Sequence, residues 1–415
     1  MQKAAIKVGY SVKKNERGFV IPMEKITKLR GFYLFLGLAG GSFGSYLSLL
    51  LKSNGLEVSQ IGVLMAIGTL IAICVQPLWG MVSDRYNQAR LVLILSVAVP
   101  AVLAVLYRSE YFIVLMLVYT VSTIFSSTQA PIADSYAIAA ANRAGATYGS
   151  IRMMMSIGAA VGAITGGQYV SKFSVSTIWL PFLLLNSIAV VIAFTLPKQA
   201  EENHMMSQSF SQGIKKLLGN RIFLAFLGGS FLVNQTMTAF GTYFVIAFQS
   251  VGGSTSSAGI ALFLASITNV PSMFFASRVI RRLGMERTLL LGALIYVLRW
   301  GVQVAFPYPS VMIGVQVLHG LSFGFFYIAA VEYVSKITSA EMQATGQSVF
   351  NIVFSGLAGI LGNLLNGMLL NQGGVGLMNL SCMISAAAGA ALLVYVARSS
   401  RRMLPLTSAS GGVGA

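Results

Sequence analysis

Apolar residues along the chain gather into long runs, separated by short polar turns. An α-helix needs about 20 apolar residues to cross a bilayer, since it rises about 1.5 Å per residue through about 30 Å of hydrocarbon. Twelve runs of that kind are predicted, at about 31–52, 60–82, 90–108, 111–138, 147–170, 176–196, 222–249, 257–278, 288–306, 309–334, 343–371 and 376–397. The one long polar gap, "PKQAEENHMMSQSFSQGIKKLLGN", runs from Pro197 to Asn220 and divides the runs six and six. The pattern predicts an all-α membrane protein of twelve transmembrane helices in two pseudo-symmetric six-helix bundles. A basic N-terminal arm occupies 1–30, the first bundle 31–196, a linker 197–220, the second bundle 221–397 and a tail 398–415.

The halves carry the same punctuation. "FGSY" at Phe43 returns as "FGTY" at Phe240, and at this offset of 197 Gly55 meets Gly252, Ser59 meets Ser256 and Gly62 meets Gly259. Near an offset of 198, Thr147 meets Thr345 and Gly158 meets Gly356. Matches held on one nearly constant offset, half the array apart, predict parallel halves that rock about a central site.

Composition agrees. The 415 residues are 56% hydrophobic and 9% charged, against about 25% charged in a soluble domain, so the apolar surface needs lipid to face. A formal charge of +17 raises nucleic acid as a partner. Twenty-three of the basic residues, however, fall in the arm, linker, tail and loops of one face, and three (Lys52, Arg108, Lys172) on the other. The positive-inside rule explains that asymmetry and excludes a nucleic-acid reading: a multi-pass plasma-membrane protein with both termini cytoplasmic. Cys74 and Cys382 lie in apolar runs and read as small core residues. The sequence offers no metal-ligand cluster, nucleophile–base set or phosphate loop, so neither an enzyme nor a cofactor is expected. The first thirty residues lack the apolar core of a signal peptide. Since "MEKITKLRGFYLF" would serve as a translation start, residues 1–22 read as a disordered extension or a start-site artefact.

Ionisable residues inside spans carry the chemistry, because each costs about 2.5–3.5 kcal/mol at a helix centre unless it finds a partner or water. Asp134 in the fourth span and Arg152 in the fifth lie near the same membrane face on antiparallel neighbours. They form either a solute-binding pair or a structural ion pair. Arg299 in the ninth span and His319 in the tenth lie near mid-depth, with Gln316 and Ser322 on the histidine's face of its helix. Tyr33, Tyr46, Gln76, Asn234, Gln235 and Asn351 are further polar candidates for a cavity wall. "GLAGGSFGS", "GAAVGAITGG" and "GLAGILGNLLNG" place small residues four apart, which predicts close helix packing.

The turn "WGMVSDRYNQAR" resembles the signature loop of the major facilitator superfamily, with Gly80, Asp84, Arg85 and Arg90 on the family pattern. Its counterpart "SRVIRRLGMER" keeps Gly284 but has Arg281 where the acid would stand, and Asn87 replaces the second glycine of the first loop. The resemblance implies a conformational gate, in which Asp84 caps a helix N-terminus and pairs with a loop arginine. An acid followed after eighteen residues by an arginine, and an arginine followed after twenty by a histidine, is similar to the oligosaccharide:proton symporter branch typified by lactose permease. "LKSNGLEVSQIG" and "LHGLSFGFFY" resemble the phenylpropionate-permease-like group equally well. The lactose-permease resemblance implies solute contacts at Asp134 and Arg152 and proton coupling through Arg299 and His319; the polar residues inside the spans add Arg299, Asn234 and Gln235 to the expected substrate contacts and Asp134 to the expected proton carriers. Three departures stand against galactoside binding and the usual proton site: Ser322 and Gln316 replace a glutamate and a lysine, and Ala159 replaces a stacking tryptophan. The expected function is secondary active transport of a small polar or anionic solute of sugar, nucleoside or aromatic-acid type. Proton symport in a bilayer-embedded monomer is expected, with an efflux carrier or a non-transporting sensor as alternatives.

Overall fold

The computed structural model describes residues 23–86, 88–144, 147–196, 217–338 and 342–402, and gives the backbone alone for 23–25, 84, 142–144, 344 and 400–402. The arm 1–22, most of the linker and the tail beyond 402 lie outside the described residues.

Ten helical segments are long and apolar enough to cross a membrane. They include α1 (Ile26–Ser53), α2 (Val58–Ser83), α3 (Ala89–Arg108), α4 (Phe112–Ala141) and α6 (Val175–Phe194). Tyr148–Lys172 is α5; its 25 residues suffice in length, but five glycines make it less apolar. The rod α7 is built from Arg221–Asn234, Met237–Gly241 and Phe244–Ser250. Thr255–Leu283 is α8, Met285–Ala305 α9 and Pro309–Ile337 α10. The last segment, Thr345–Ser399, is 55 residues long and bends at Gly374, where φ is 66° and ψ −164°. Its arms, 345–373 and 375–399, are α11 and α12. Counting α5 and both arms brings the array to twelve rods of crossing length. The expected spans leave residues 372–375 between α11 and α12, and there the single glycine Gly374 makes the bend, because only glycine takes that backbone without strain.

Local chemistry sets other boundaries. The Asn220 side chain accepts from the amides of Ile222 and Phe223 at 2.9 and 3.2 Å and opens α7. Ser254 does the same for α8 through Ser257. Gly284, at φ 86°, ends α8 and starts α9 in one residue.

The repeat read from the sequence is physical. Gly55 and Gly252, at φ 92° and 89°, make matching turns before α2 and α8. Both first rods of the halves break at corresponding places: α1 widens into a π-helical turn at Gly40–Gly44, and α7 breaks around Met237–Gly241. Inside the first half, Gly37 and Gly41 of α1 meet backbone of α5 at Met155 and Ala159, while Gly158, Gly162 and Gly166 of α5 meet backbone of α1. Small residues are what let two backbones approach so closely.

The two halves touch through α2 against α11 and α8 against α5. At the first contact Tyr243 donates to the carbonyl of Asn363 at 2.6 Å, and a Cβ at Gly62 would stand 2.6 Å from that carbonyl oxygen. At the second, Tyr46 donates to the carbonyl of Ala163 at 2.7 Å, and a Cβ at Gly259 would stand 2.9 Å from that oxygen. Both clasps lie toward the face bearing Gly55 and Gly252, here the far face; the face bearing Leu196 and Leu217 is the linker face.

The cores follow the same division. Ile26, Phe32, Val97, Tyr136, Ile151 and Ala193 belong to a hydrophobic cluster confined to the linker-face half of the first bundle. Its far-face half, with Phe43, Tyr46, Ile61 and Leu115, shares one continuous cluster with the whole second bundle. Near the linker face Gly80 of α2 and Gly149 of α5 have open space around them. Among the described residues, α2 meets α11 from Gly62 at the far face to Ile73 against Gly356, past the middle of the rod.

Cys382 is buried as expected, but Cys74 is exposed on α2. An apolar run does not mark a core position in a chain whose outer face meets lipid.

Candidate functional site

A kink at Ser127 interrupts α4 and sets the segment Gln129–Ala144 on its own course. That segment brings Asp134 against α1 and α5. Tyr33, fully buried on α1, donates to Asp134 Oδ1 at 2.6 Å. Arg152 Nε lies 3.6 Å from the same oxygen, and its guanidinium carbon lies 5.9 Å from the Tyr33 ring centre. A second guanidinium N–H of Arg152 points to the sulfur of Met155, and Tyr148, one turn earlier on α5, stands beside both charges. The side chains of Arg152 and Asp134 are 38% and 27% exposed, so the pair is open to solvent while Tyr33 holds it from behind. Such a pair can exchange hydrogen bonds with hydroxyl or amide groups without a net charge of its own.

The second bundle places its candidates differently. Arg299 on α9 is 0% exposed and His319 on α10 5% exposed, so neither reaches an open surface. Arg299 Nη2 donates to Gln316 Oε1 at 3.1 Å rather than to His319. Phe240, on the short middle piece of α7, lies between them: its ring centre is 4.8 Å from the Arg299 guanidinium carbon and 4.1 Å from the His319 ring centre. Trp300 supplies a second ring, 4.7 Å from that carbon. From His319 an aromatic stripe continues down α10 to half-buried Phe323 and Tyr327, whose rings stack within 6° of parallel.

Asn234 and Gln235 sit where α7 first breaks. Asn234 Nδ2 donates to the Phe354 carbonyl at 2.5 Å, in the π-helical turn Ile352–Leu357 of α11. The Gln235 carbonyl accepts from Asn366, which also donates to Thr238 at 2.8 Å. Both residues therefore stitch α7 to α11. Tyr46 belongs to the far-face clasp, and Gln76 and Asn351 are exposed.

Of the gate residues, Arg90 Nη1 donates to the Leu196 carbonyl at the end of α6 at 3.2 Å. Arg85 is exposed, with its guanidinium 5.9 Å from the Tyr86 ring. The side chain of Asp84 lies outside the described residues. Gly284 holds the corresponding turn of the second bundle.

Residues 26–379 match the profile described as the MFS_1 like family. The chain belongs to the MFS_1-like family. It is thus a multi-pass membrane transporter of the major facilitator type and not an enzyme. This MFS_1-like transporter is 28% identical to the maltose permease of Geobacillus stearothermophilus over 89% of its own length and 94% of the relative's. It is 27% identical to the uncharacterized transporter YwbF of Bacillus subtilis (strain 168), over 90% and 94% of the two chains. The crystal structure of the nucleoside transporter NupG superposes with a TM-score of 0.78 over 91% of this chain and all of that one, at 18% identity, a likeness of fold.

The sequence does not mark every residue of the candidate site in this MFS_1-like transporter. Tyr148 is one tyrosine among sixteen, and Phe240 stands out only as part of the repeat. Asn363 and Asn366 carry a signal of their own: two asparagines one turn apart in an apolar run indicate that backbone groups nearby need partners.

Proposed function

We propose that this MFS_1-like transporter carries a small uncharged polar solute, of sugar or nucleoside type, across the plasma membrane by alternating access, in symport with protons. Both termini and the linker face the cytoplasm, in keeping with the charge asymmetry of the loops. The two bundles, 31–196 and 221–397, rock about the far-face clasps, a reading supported by the close approach of Gly62 to α11 and of Gly259 to α5.

The observation that carries this reading is the difference in exposure between the two arginines. Arg152 is accessible and matched by Asp134; Arg299 is sealed behind Phe240. The accessible charges cancel, which favours a neutral solute over the anion that two exposed arginines would attract. Asp134, Arg152 and Tyr33 offer hydrogen bonds to the polar edge of the solute, and Phe323 and Tyr327 offer a ring surface to its flat face. A maltose permease among the relatives and a nucleoside transporter among the similar folds support this class. Asp134 is the group proposed to take the proton: protonation loosens its hold on Arg152, which then turns to the solute, and proton and solute leave together on the other side, after which the Asp134–Arg152 pair forms again. Gly80, Asp84, Arg85, Arg90 and Gly284 form the cytoplasmic gate, with Arg90 tying the loop to α6.

Uptake of labelled maltose, uridine and 3-phenylpropionate into energised membrane vesicles, with and without a proton gradient, tests the reading. A neutral compound is expected to be accumulated in a gradient-dependent way, with the external medium becoming more alkaline as it enters. Accumulation of the carboxylate alone, unaffected by Asp134→Asn, would overturn it.

A further inference from the structure

Arg299 is a cation without an anion. It is wholly buried at mid-depth, and among the described residues it makes no ion pair. One N–H goes to the Gln316 carbonyl; Nε and Nη1 find no acceptor. Gln316 Nε2 donates to the Met312 carbonyl at 2.8 Å, which sets the orientation of the amide that faces Arg299. The rings of Phe240 and Trp300 lie 4.8 and 4.7 Å from the guanidinium carbon. Ring faces stabilise a cation but do not replace an in-plane acceptor, so Nε and Nη1 stay without one. Trp300 Nε1 is a further buried donor without a partner, and His319 Nδ1 is likewise unpartnered across the Phe240 ring. Buried donors of this kind in a native interior call for an acceptor or an ion, and a charge at this depth calls for a countercharge.

We propose that Arg299, with Gln316 and Phe240 beside it, forms a binding site for a small monovalent anionic group, distinct from the Asp134–Arg152 pair and independent of the solute assigned to that pair. The enclosure by Phe240 and Trp300 limits the ligand to a compact group such as chloride or a short carboxylate. Access runs through the middle piece of α7. Met237–Gly241 is only five residues long and is flanked by breaks at both ends, so it turns as a unit and carries the Phe240 ring off Arg299.

The test is thermal unfolding of the purified full-length protein at fixed ionic strength, as chloride replaces gluconate, an anion too bulky for the site. The unfolding midpoint is expected to rise saturably with chloride, as for any ligand bound by the folded state alone. The rise disappears in Arg299→Gln and persists in Arg152→Gln. Acetate distinguishes a free ion from a carried carboxylate when run beside 3-phenylpropionate. Chloride and acetate acting alone mark a free-ion site; 3-phenylpropionate acting through Arg299 and displacing chloride marks a group delivered on an organic solute. A flat response to all three, or a rise that survives Arg299→Gln, overturns the proposal. Should Arg299→Gln fail to fold, bromide quenching of tryptophan fluorescence decides the matter in the unaltered site. A saturable component absent from Trp300→Phe supports the anion, and its absence from the parent protein overturns it.

Discussion

Tyr33 and Arg152 share one oxygen of Asp134, the phenol at 2.6 Å and the guanidinium at 3.6 Å. The shorter contact is the neutral one, so the arginine is held loosely enough to turn to a solute. Asp134→Asn and Arg152→Gln are each expected to lower solute uptake about tenfold or more, since a hydrogen bond to a charged group contributes about 1.5–3 kcal/mol. Tyr33→Phe weakens apparent affinity more than maximal rate. A double-mutant cycle on Asp134 and Arg152, read from initial uptake rates, should show strong coupling. Additive effects of the two substitutions would mean that they do not act as a pair.

The far-face clasps leave no room for a methyl group. A Cβ at Gly62 meets the Asn363 carbonyl at 2.6 Å and the Tyr243 hydroxyl at 2.8 Å; one at Gly259 meets the Ala163 carbonyl at 2.9 Å and the Tyr46 hydroxyl at 3.0 Å. Backbone cannot yield as a side-chain tip does, so Gly62→Val together with Gly259→Val is expected to part the halves at the far face. Spin labels at exposed positions 60 on α2 and 371 on α11, placed after Cys74 and Cys382 are replaced, should move apart. An unchanged distance distribution would show that the clasps do not hold the far face shut.

Asn366 is fully buried and serves the first break in α7, donating to Gln235 and Thr238 while accepting from the Cys382 thiol at 3.4 Å. Asn366→Leu leaves the Gln235 carbonyl without that donor. The expected cost is about 1–3 kcal/mol, seen as a lower unfolding temperature in detergent. Cys382→Ala, which removes only the thiol donor, is expected to cost much less.

Gly284 stands at φ 86° and ψ 161°, a conformation closed to side-chain-bearing residues except under strain. Gly284→Ala is expected to cost about 1–3 kcal/mol and to loosen the α8–α9 turn, where Glu286 pairs with Lys336 at 3.4 Å. Protease sensitivity at that turn should rise. Gly80→Ala, with open space around the residue, should leave stability unchanged.

The rods and their pairing in halves were legible because a bilayer imposes one periodicity on every span and because duplication left Gly55 and Gly252 at the same offset as Tyr46 and Tyr243. The meeting of Asp134 with Arg152 was legible too, since a short connection between antiparallel neighbours fixes their relative depth. The fate of Arg299 and His319 was not. Their depth follows from the sequence, but which way each turns depends on Phe240, and Phe240 is placed by two breaks in α7. Those breaks are sustained by Asn363 and Asn366, more than a hundred residues away. Helical periodicity carries no information about where a helix ceases to be regular, and exposure of Cys74 likewise depends on what the rod faces.

The linker-face core of the first bundle ends before the clasps begin. Asp134 and Arg152 therefore sit beside a packed cluster separate from the one that holds Tyr46 and Tyr243. Under the proposed function, substitutions that retool cargo preference at the one need not retune opening at the other.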